Sequence, residues 1–102
     1  MKNSNQLLKI GNKEFKSRLL IGTGKYSTLK VMQNSIENAN CEIVTVAVRR
    51  IKGQENGHQG LMESIDWKKI WMLPNTAGCS TAEEAIRIAR LGRELAKLAG
   101  QE

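Results

Sequence analysis

Leu19-Leu20-Ile21-Gly22-Thr23-Gly24-Lys25, then Glu42-Ile43-Val44-Thr45-Val46-Ala47-Val48-Arg49-Arg50, then Trp71-Met72-Leu73-Pro74-Asn75-Thr76-Ala77-Gly78 repeat one pattern three times. Each is a short apolar run that ends in small, polar or basic residues. The second run is almost continuous in branched apolar side chains, as expected of a strand buried on both faces of a parallel sheet. The intervals are close to the ~30 residues of one strand-plus-crossover unit. The order reads as α/β. It fits the N-terminal part of a TIM-type (βα)8 barrel, with about three βα units. The 102 residues suit one small domain, whereas a closed eight-unit barrel takes about 250. Residues 1–102 are therefore expected to be an incomplete barrel domain.

Between the runs the periodicity changes. Leu7-Leu8-Lys9-Ile10 and Glu14-Phe15-Lys16-Ser17-Arg18 flank Gly11-Asn12, a pair that tolerates positive φ, so a hairpin precedes the first barrel-type strand. Ser27 or Thr28 caps a helix whose Leu29, Met32, Ile36 and Ala39 fall on one face, and Asn38-Ala39-Asn40 stops it. Residues 51–60 carry three glycines and read as a loop, with a short helix near Leu61–Ile65. Pro74 is expected to end the third strand, because it cannot donate to a ladder. Thr81-Ala82-Glu83-Glu84 reads as a capping box opening the strongest helix. Ala82, Ala85, Ile86 and Ala89 are its expected apolar stripe, continued by Leu95, Ala96 and Ala99, with Glu83 and Arg87 paired at i,i+4.

Composition removes several functional classes. The net charge is +6, from 16 Lys and Arg against 10 Asp and Glu, which permits an anionic partner. The basic residues do not cluster, and the few aromatics are not interleaved with them, so nucleic acid is disfavoured. Two cysteines and one histidine, far apart, make a poor zinc set. No apolar run reaches the ~18 residues of a membrane helix, and no cofactor fingerprint is complete. Gly22-Thr23-Gly24-Lys25 invites a phosphate-loop reading but fails it on spacing, with Leu19 and Tyr26 at the required glycine and hydroxyl positions.

The candidate substrate-binding residues are Lys25, Arg49, Asn75 and Thr76, all at expected strand ends. Lys25 follows two glycines that let backbone approach a ligand. Arg49 and Arg50 should point to opposite sides of a strand end, where a guanidinium can grip phosphate or carboxylate, or make a structural ion pair. Asn75 and Thr76 precede a helix N-terminus and suit an anion or a carbonyl, though both are also ordinary turn residues. Cys79 has no base near it in sequence, and His58 reads as solvated. These residues alone name no reaction, and an α/β module binding an anionic protein or phosphate ligand without catalysis is the alternative they leave open.

The blocks from Arg18 to Tyr26, from Thr45 to Arg50 and from Leu73 to Ala85 resemble, in order, the N-terminal part of the thiazole synthase family of thiamine biosynthesis. Ile65-Asp66-Trp67, Trp71-Met72-Leu73-Pro74 and Arg90-Leu91-Gly92-Arg93-Glu94 resemble its cyanobacterial and plastid branch. The Lys-, Asn- and Ile-rich composition would suit a plastid gene. The resemblance implies a (βα)8 barrel enzyme, a transferase that forms thiazole phosphate. Its substrates would be 1-deoxy-D-xylulose 5-phosphate, dehydroglycine and sulfur from a carrier-protein thiocarboxylate. It implies a Schiff base between a lysine and the sugar ketone, a homo-oligomer at full length, and work in the plastid stroma or a bacterial cytoplasm. The imine lysine of the family lies in a Lys-x-Glu strand that does not occur within residues 1–102, so no catalytic residue is carried over. Lys97 lies amid alternating helix charges and reads as a surface lysine. The chain by itself is expected to be inactive, with no cofactor or metal.

Overall fold

The computed structural model describes residues 6–53 and 60–101. His58 and most of the glycine-rich loop lie outside the described residues. The elements are β1 (Leu8–Ile10), β2 (Lys13–Phe15), β3 (Leu20–Ile21), α1 (Leu29–Ala39), β4 (Ile43–Ala47), α2 (Val48–Gly53), a 3-10 turn at Met62–Ser64, β5 (Trp71–Asn75) and α3 (Ala82–Leu98). β1 and β2 form an antiparallel hairpin with Ile10 opposite Lys13, as Gly11-Asn12 leads one to expect. β3, β4 and β5 form a parallel three-stranded sheet in sequence order. The chain is thus α/β, with the alternation that the three apolar runs imply.

Register separates the two faces of this sheet. Ile21, Val44 and Met72 lie in one row, and Val46 pairs with Pro74 one pleat further on. This face is covered: Met32 and Ile36 of α1 join Val44, Val46 and Met72 with Cys41, Leu61 and Ile65 in one core. The other face carries Leu20, Thr45, Leu73 and Asn75, and Leu20 and Leu73 are 42% and 43% exposed. The hairpin sits at the start of the strands. Glu42 Oε1 accepts the Lys16 and Ser17 amides at 2.6 and 3.0 Å, and the Lys13 ammonium lies 4.5 Å from the centre of the Trp71 ring.

α1 begins and ends where the sequence places it. Thr28 Oγ1 accepts the Val31 amide at 3.1 Å, and Asn40 closes the helix in the left-handed region at φ 52°. Four other expectations need correction. Pro74 does not end its strand. The Trp71 amide donates to Glu42 O at 2.8 Å. Strand backbone groups alternate sides, so Leu73 and Asn75 also face β4, while Met72 and Pro74 face the free edge. The missing N–H of Pro74 therefore removes no bond from the ladder, and the strand runs on to Asn75. Second, Arg49 and Arg50 stand in α2 rather than at a strand end, because the chain turns helical immediately after Ala47.

Third, the expected stripe of α3 holds at Ala85, Leu95, Ala96 and Ala99, which are half-buried, but Ala82, Ile86 and Ala89 are exposed and the face is rotated away from them. Ile88 and Gly92 are its buried residues, and Ile86 is 53% exposed. Alanine and isoleucine spacing alone could not place the face, because its centre is a glycine. A Cβ at Gly92 would stand 2.7 Å from Pro74 Cβ and 3.1 Å from Val48 Cγ2. Only a bare Cα lets α3 lie this close to β5. Fourth, the cap is half of the expected box. Thr81 Oγ1 accepts the Glu84 amide at 3.1 Å, but Glu84 Oε1 accepts from Ser80 N at 3.0 Å rather than from Thr81. Glu83–Arg87 is not among the ion pairs of the described residues, which are Arg49–Glu84 and Glu94–Lys97.

Gly92→Ala is expected to destabilise the chain by about 1–3 kcal/mol, since backbone-attached atoms on both elements must move. The check is the thermal midpoint against wild type. An alanine variant as stable as wild type would contradict the close α3–β5 approach.

Candidate functional site

The strand ends of a parallel sheet gather whatever follows each strand. Here these are the Gly22–Tyr26 turn, α2, and the Asn75–Thr81 segment that leads into α3. A polar network crosses all three strands at this rim. Thr23 Oγ1 donates to Thr45 O at 3.2 Å, and Thr45 Oγ1 donates to Leu73 O at 2.7 Å. Asn75 Nδ2 donates to Thr45 Oγ1 at 2.9 Å, and Asn75 Oδ1 accepts the Ala77 amide at 3.0 Å. Thr45 is the polar residue within an otherwise apolar strand. Its signal was in the sequence as a break in that run, but not as a functional position.

Arg49 is engaged by the chain itself. Its Nη1 donates to Gly78 O and stands 3.6 Å from Glu84 Oε2. This ties α2 to the loop after β5 and to the first turn of α3. Gly78 has φ 89°, a conformation that favours glycine, and a Cβ there would crowd Arg49 Nη1 at 3.2 Å. The Ser80 amide donated to Glu84 is the main influence holding its carboxyl below the usual carboxylate range. Partial burial opposes it, and Arg49, the Ser80 hydroxyl and Arg87 reinforce it.

Lys25, Thr76 and Arg50 are placed differently. Lys25 is exposed and takes φ 67°, which turns the chain sharply after β3. Arg50, which the sequence did not single out for binding, has Nη1 3.6 Å from the position of a Gly24 Cβ, so its guanidinium lies over the same turn. Thr76 is half-buried, and its carbonyl accepts the Cys79 amide at 3.2 Å. Two cations and a hydroxyl on one rim suit a phosphate, a carboxylate or a polarised carbonyl. Lys97 sits on α3, exposed, 3.6 Å from Glu94. Cys79 is half-buried near the start of α3.

A cleft lies at the other end of the strands. It encloses about 870 Å³ between the end of α1 and the Ser64–Ile70 segment. Its walls mix Lys16 and Lys69 with Glu37, Glu42 and Asp66, so it offers no net pull on an anion. Cys41, also on this wall, is buried, and that burial pushes its thiol pKa up. No described helix is long and apolar enough to cross a membrane.

Residues 9–99 match the family model described as thiazole biosynthesis protein ThiG. The chain is similar to the thiazole synthase of Prochlorococcus marinus strain NATL2A, 80% identical over all 102 residues and covering 38% of that protein. It is 70% identical to the thiazole synthase of Prochlorococcus marinus strain MIT 9313 over 99 residues, 97% of the chain and 36% of that protein. It is 67% identical to that of Trichodesmium erythraeum strain IMS101 over 93 residues, 91% of the chain and 33% of that protein. The chain belongs to the ThiG family, and it spans 33–38% of the length of these relatives.

The Glu84 contacts carry a pH signature. A carboxyl held low in the folded state adds stability above its unfolded pKa of about 4.3, and that contribution is lost as pH falls through the lower folded value. An NMR titration of the Glu84 side chain should have its midpoint below the ordinary glutamate value, and Arg49→Gln should raise it. A midpoint at or above the ordinary value would show that the Ser80 and Arg49 contacts are not formed.

Proposed function

We propose that this ThiG-family chain is the N-terminal section of a thiazole synthase, and that residues 1–102 are an incomplete barrel domain, the first units of a (βα)8 barrel. The unbroken match over residues 9–99 carries this reading. The parallel order β3-β4-β5, and two exposed leucines on the face away from the helices, support a barrel whose interior would cover Leu20 and Leu73. The reaction is assigned by family. Thiazole phosphate forms from 1-deoxy-D-xylulose 5-phosphate, dehydroglycine and the sulfur of a carrier-protein thiocarboxylate, through an imine between a lysine and the sugar ketone. The activity belongs to a protein of the relatives' length. The cyanobacterial relatives favour a bacterial cytoplasm over a plastid stroma as its setting.

Within residues 1–102 the candidate substrate-binding residues divide into two roles. Lys25 presents an exposed charge and Thr76 a half-buried hydroxyl at the strand-end rim, where barrel enzymes hold substrates. They contact the anionic or carbonyl parts of a substrate. Arg49 and Asn75 hold the Ala77–Gly78 loop in place through Gly78 O and Ala77 N. They position Thr76 rather than touch the substrate.

The test joins residues 1–102 to the remainder of the NATL2A relative and measures thiazole phosphate formation. The chimera should be active, and borohydride should trap the sugar on it but not on the 102-residue chain. Lys25→Met or Thr76→Val in the chimera should raise KM for the sugar phosphate by about ten-fold, the scale of one lost charge-assisted bond. A chimera that folds but makes no thiazole, or sugar trapped on Lys25 or Lys97, would overturn the assignment.

A further inference from the structure

Thr45 is the one hydroxyl in β4, a strand otherwise made of Ile, Val and Ala, and it lies on the sheet face away from the helices. Valine suits a strand as well and fills much the same space. What sets Thr45 apart is where its two branches go. Cγ2 faces the turn after β3, 4.0 Å from where a Gly22 Cβ would stand. Oγ1 faces β5, donating to Leu73 O at 2.7 Å and accepting from Asn75 Nδ2 at 2.9 Å. A hydroxyl has one proton. Leu73 O holds it, so Thr45 offers Asn75 a lone pair and nothing else. That turns the nitrogen of the Asn75 carboxamide toward Thr45 and leaves its oxygen for the Ala77 amide at 3.0 Å. The orientation of Asn75, which holds the loop through Thr76, is therefore decided at Thr45.

The backbone of the same residue serves the other side of the rim. β3 pairs with β4 only as far as Ile21 and Val44. Beyond that point the Thr23 hydroxyl reaches Thr45 O at 3.2 Å. Thr23 lies two residues before Lys25, and Asn75 one residue before Thr76. The turn that bears the charge and the loop that bears the hydroxyl thus share one anchor. The first is held by a carbonyl that every substitution keeps. The second is held by a side-chain oxygen that a substitution removes.

Resting on the reading of Lys25 and Thr76 as substrate contacts, we propose that Thr45 is a positioning residue of the synthase, holding Thr76 in place relative to Lys25 through Asn75. The test uses the chimera of residues 1–102 with the remainder of the NATL2A relative. Thr45→Val keeps the volume and removes the oxygen, whereas Thr45→Ser keeps the oxygen. Thr45→Val should raise KM for the sugar phosphate by about five-fold, the scale of one lost hydrogen bond, with a smaller change in kcat. Thr45→Ser should stay near wild type. Coupling separates positioning from general loosening. Added to Thr76→Val, Thr45→Val should raise KM little further, because both remove the same contact; combined with Lys25→Met, the two effects should multiply. A further readout is independent of turnover: Ala77 amide exchange should quicken by about five-fold or more in Thr45→Val and not in Thr45→Ser. Near-UV circular dichroism confirms that each variant is folded. If Thr45→Val does not fold, Thr45→Ala against Thr45→Ser, which differ by the oxygen alone, takes its place. Unchanged Ala77 exchange in the folded variant overturns the proposal, as do effects that multiply with Thr76→Val or a Thr45→Ser variant as impaired as Thr45→Val. A KM that responds to Thr76→Val and Lys25→Met but not to Thr45→Val sinks this proposal alone. A KM indifferent to all three sinks the substrate reading and this proposal with it.

Discussion

The close approach of α3 to β5 at Gly92 sets the geometry of both ends of the molecule. A bare Cα over Pro74 and Val48 fixes the depth of the helix on the sheet. At about 1.5 Å of rise per residue, Glu84 then lies roughly 12 Å along the axis on the strand-end side, where it meets Arg49 and Ser80. In the other direction, the closing turn at Gly100 delivers Gln101 to Met72. A methyl group at position 92 would push the helix outward and lengthen both sets of contacts together. One small residue in mid-helix thus coordinates the loop at the rim and the Gln101–Met72 contact at the opposite end.

Much of this was legible in the sequence, and the misreadings have specific causes. Branched apolar runs gave β4, and cap residues gave the bounds of α1, because these are local preferences that nothing in the tertiary structure opposes. Pro74 was misjudged because its effect depends on which side of the strand its nitrogen faces, and that is decided by register with β4. On α3 periodicity finds Leu95, Ala96 and Ala99 but misplaces the face at Ala82, Ile86 and Ala89, because it scores Gly92 as a gap, whereas here that glycine marks the point of tightest packing. Gln101 carried no signal at all. A glutamine after a helix is unremarkable until the turn at Gly100 shows where its amide goes.

The candidate site shows the same division. Lys25, Arg49, Asn75 and Thr76 share one rim, since each ends or follows a strand of a parallel sheet and parallel strands share their ends. Their separate duties could not be read from residue type. Arg49 became a tether because the chain turned helical after Ala47 and aimed its guanidinium across at Gly78 and Glu84. Arg50, one residue on, was carried to the Gly24 turn instead. Strand alternation would have separated the two arginines by face; helical spacing separates them by about 100° and sends them to different neighbouring loops.

The two faces of the sheet make different demands on sequence. The helix-covered face is filled by Val44, Val46 and Met72 and tolerates no polar group without a partner. The opposite face combines Leu20 and Leu73 with the Thr45–Asn75 network. For a finished surface this mixture would be poor design, as the leucines gain nothing from water. For the interior wall of a larger barrel it is economical. Leu20 lies near the strand starts, level with Ile43, Leu73 lies level with Thr45, and Asn75 lies two residues nearer the strand ends, where it links to the Thr45 hydroxyl and holds the loop that bears Thr76. The order along β5, Leu73 before Asn75 before Thr76, is a passage from apolar wall to polar mouth. It gives the barrel reading a physical basis separate from the similarity of the sequences.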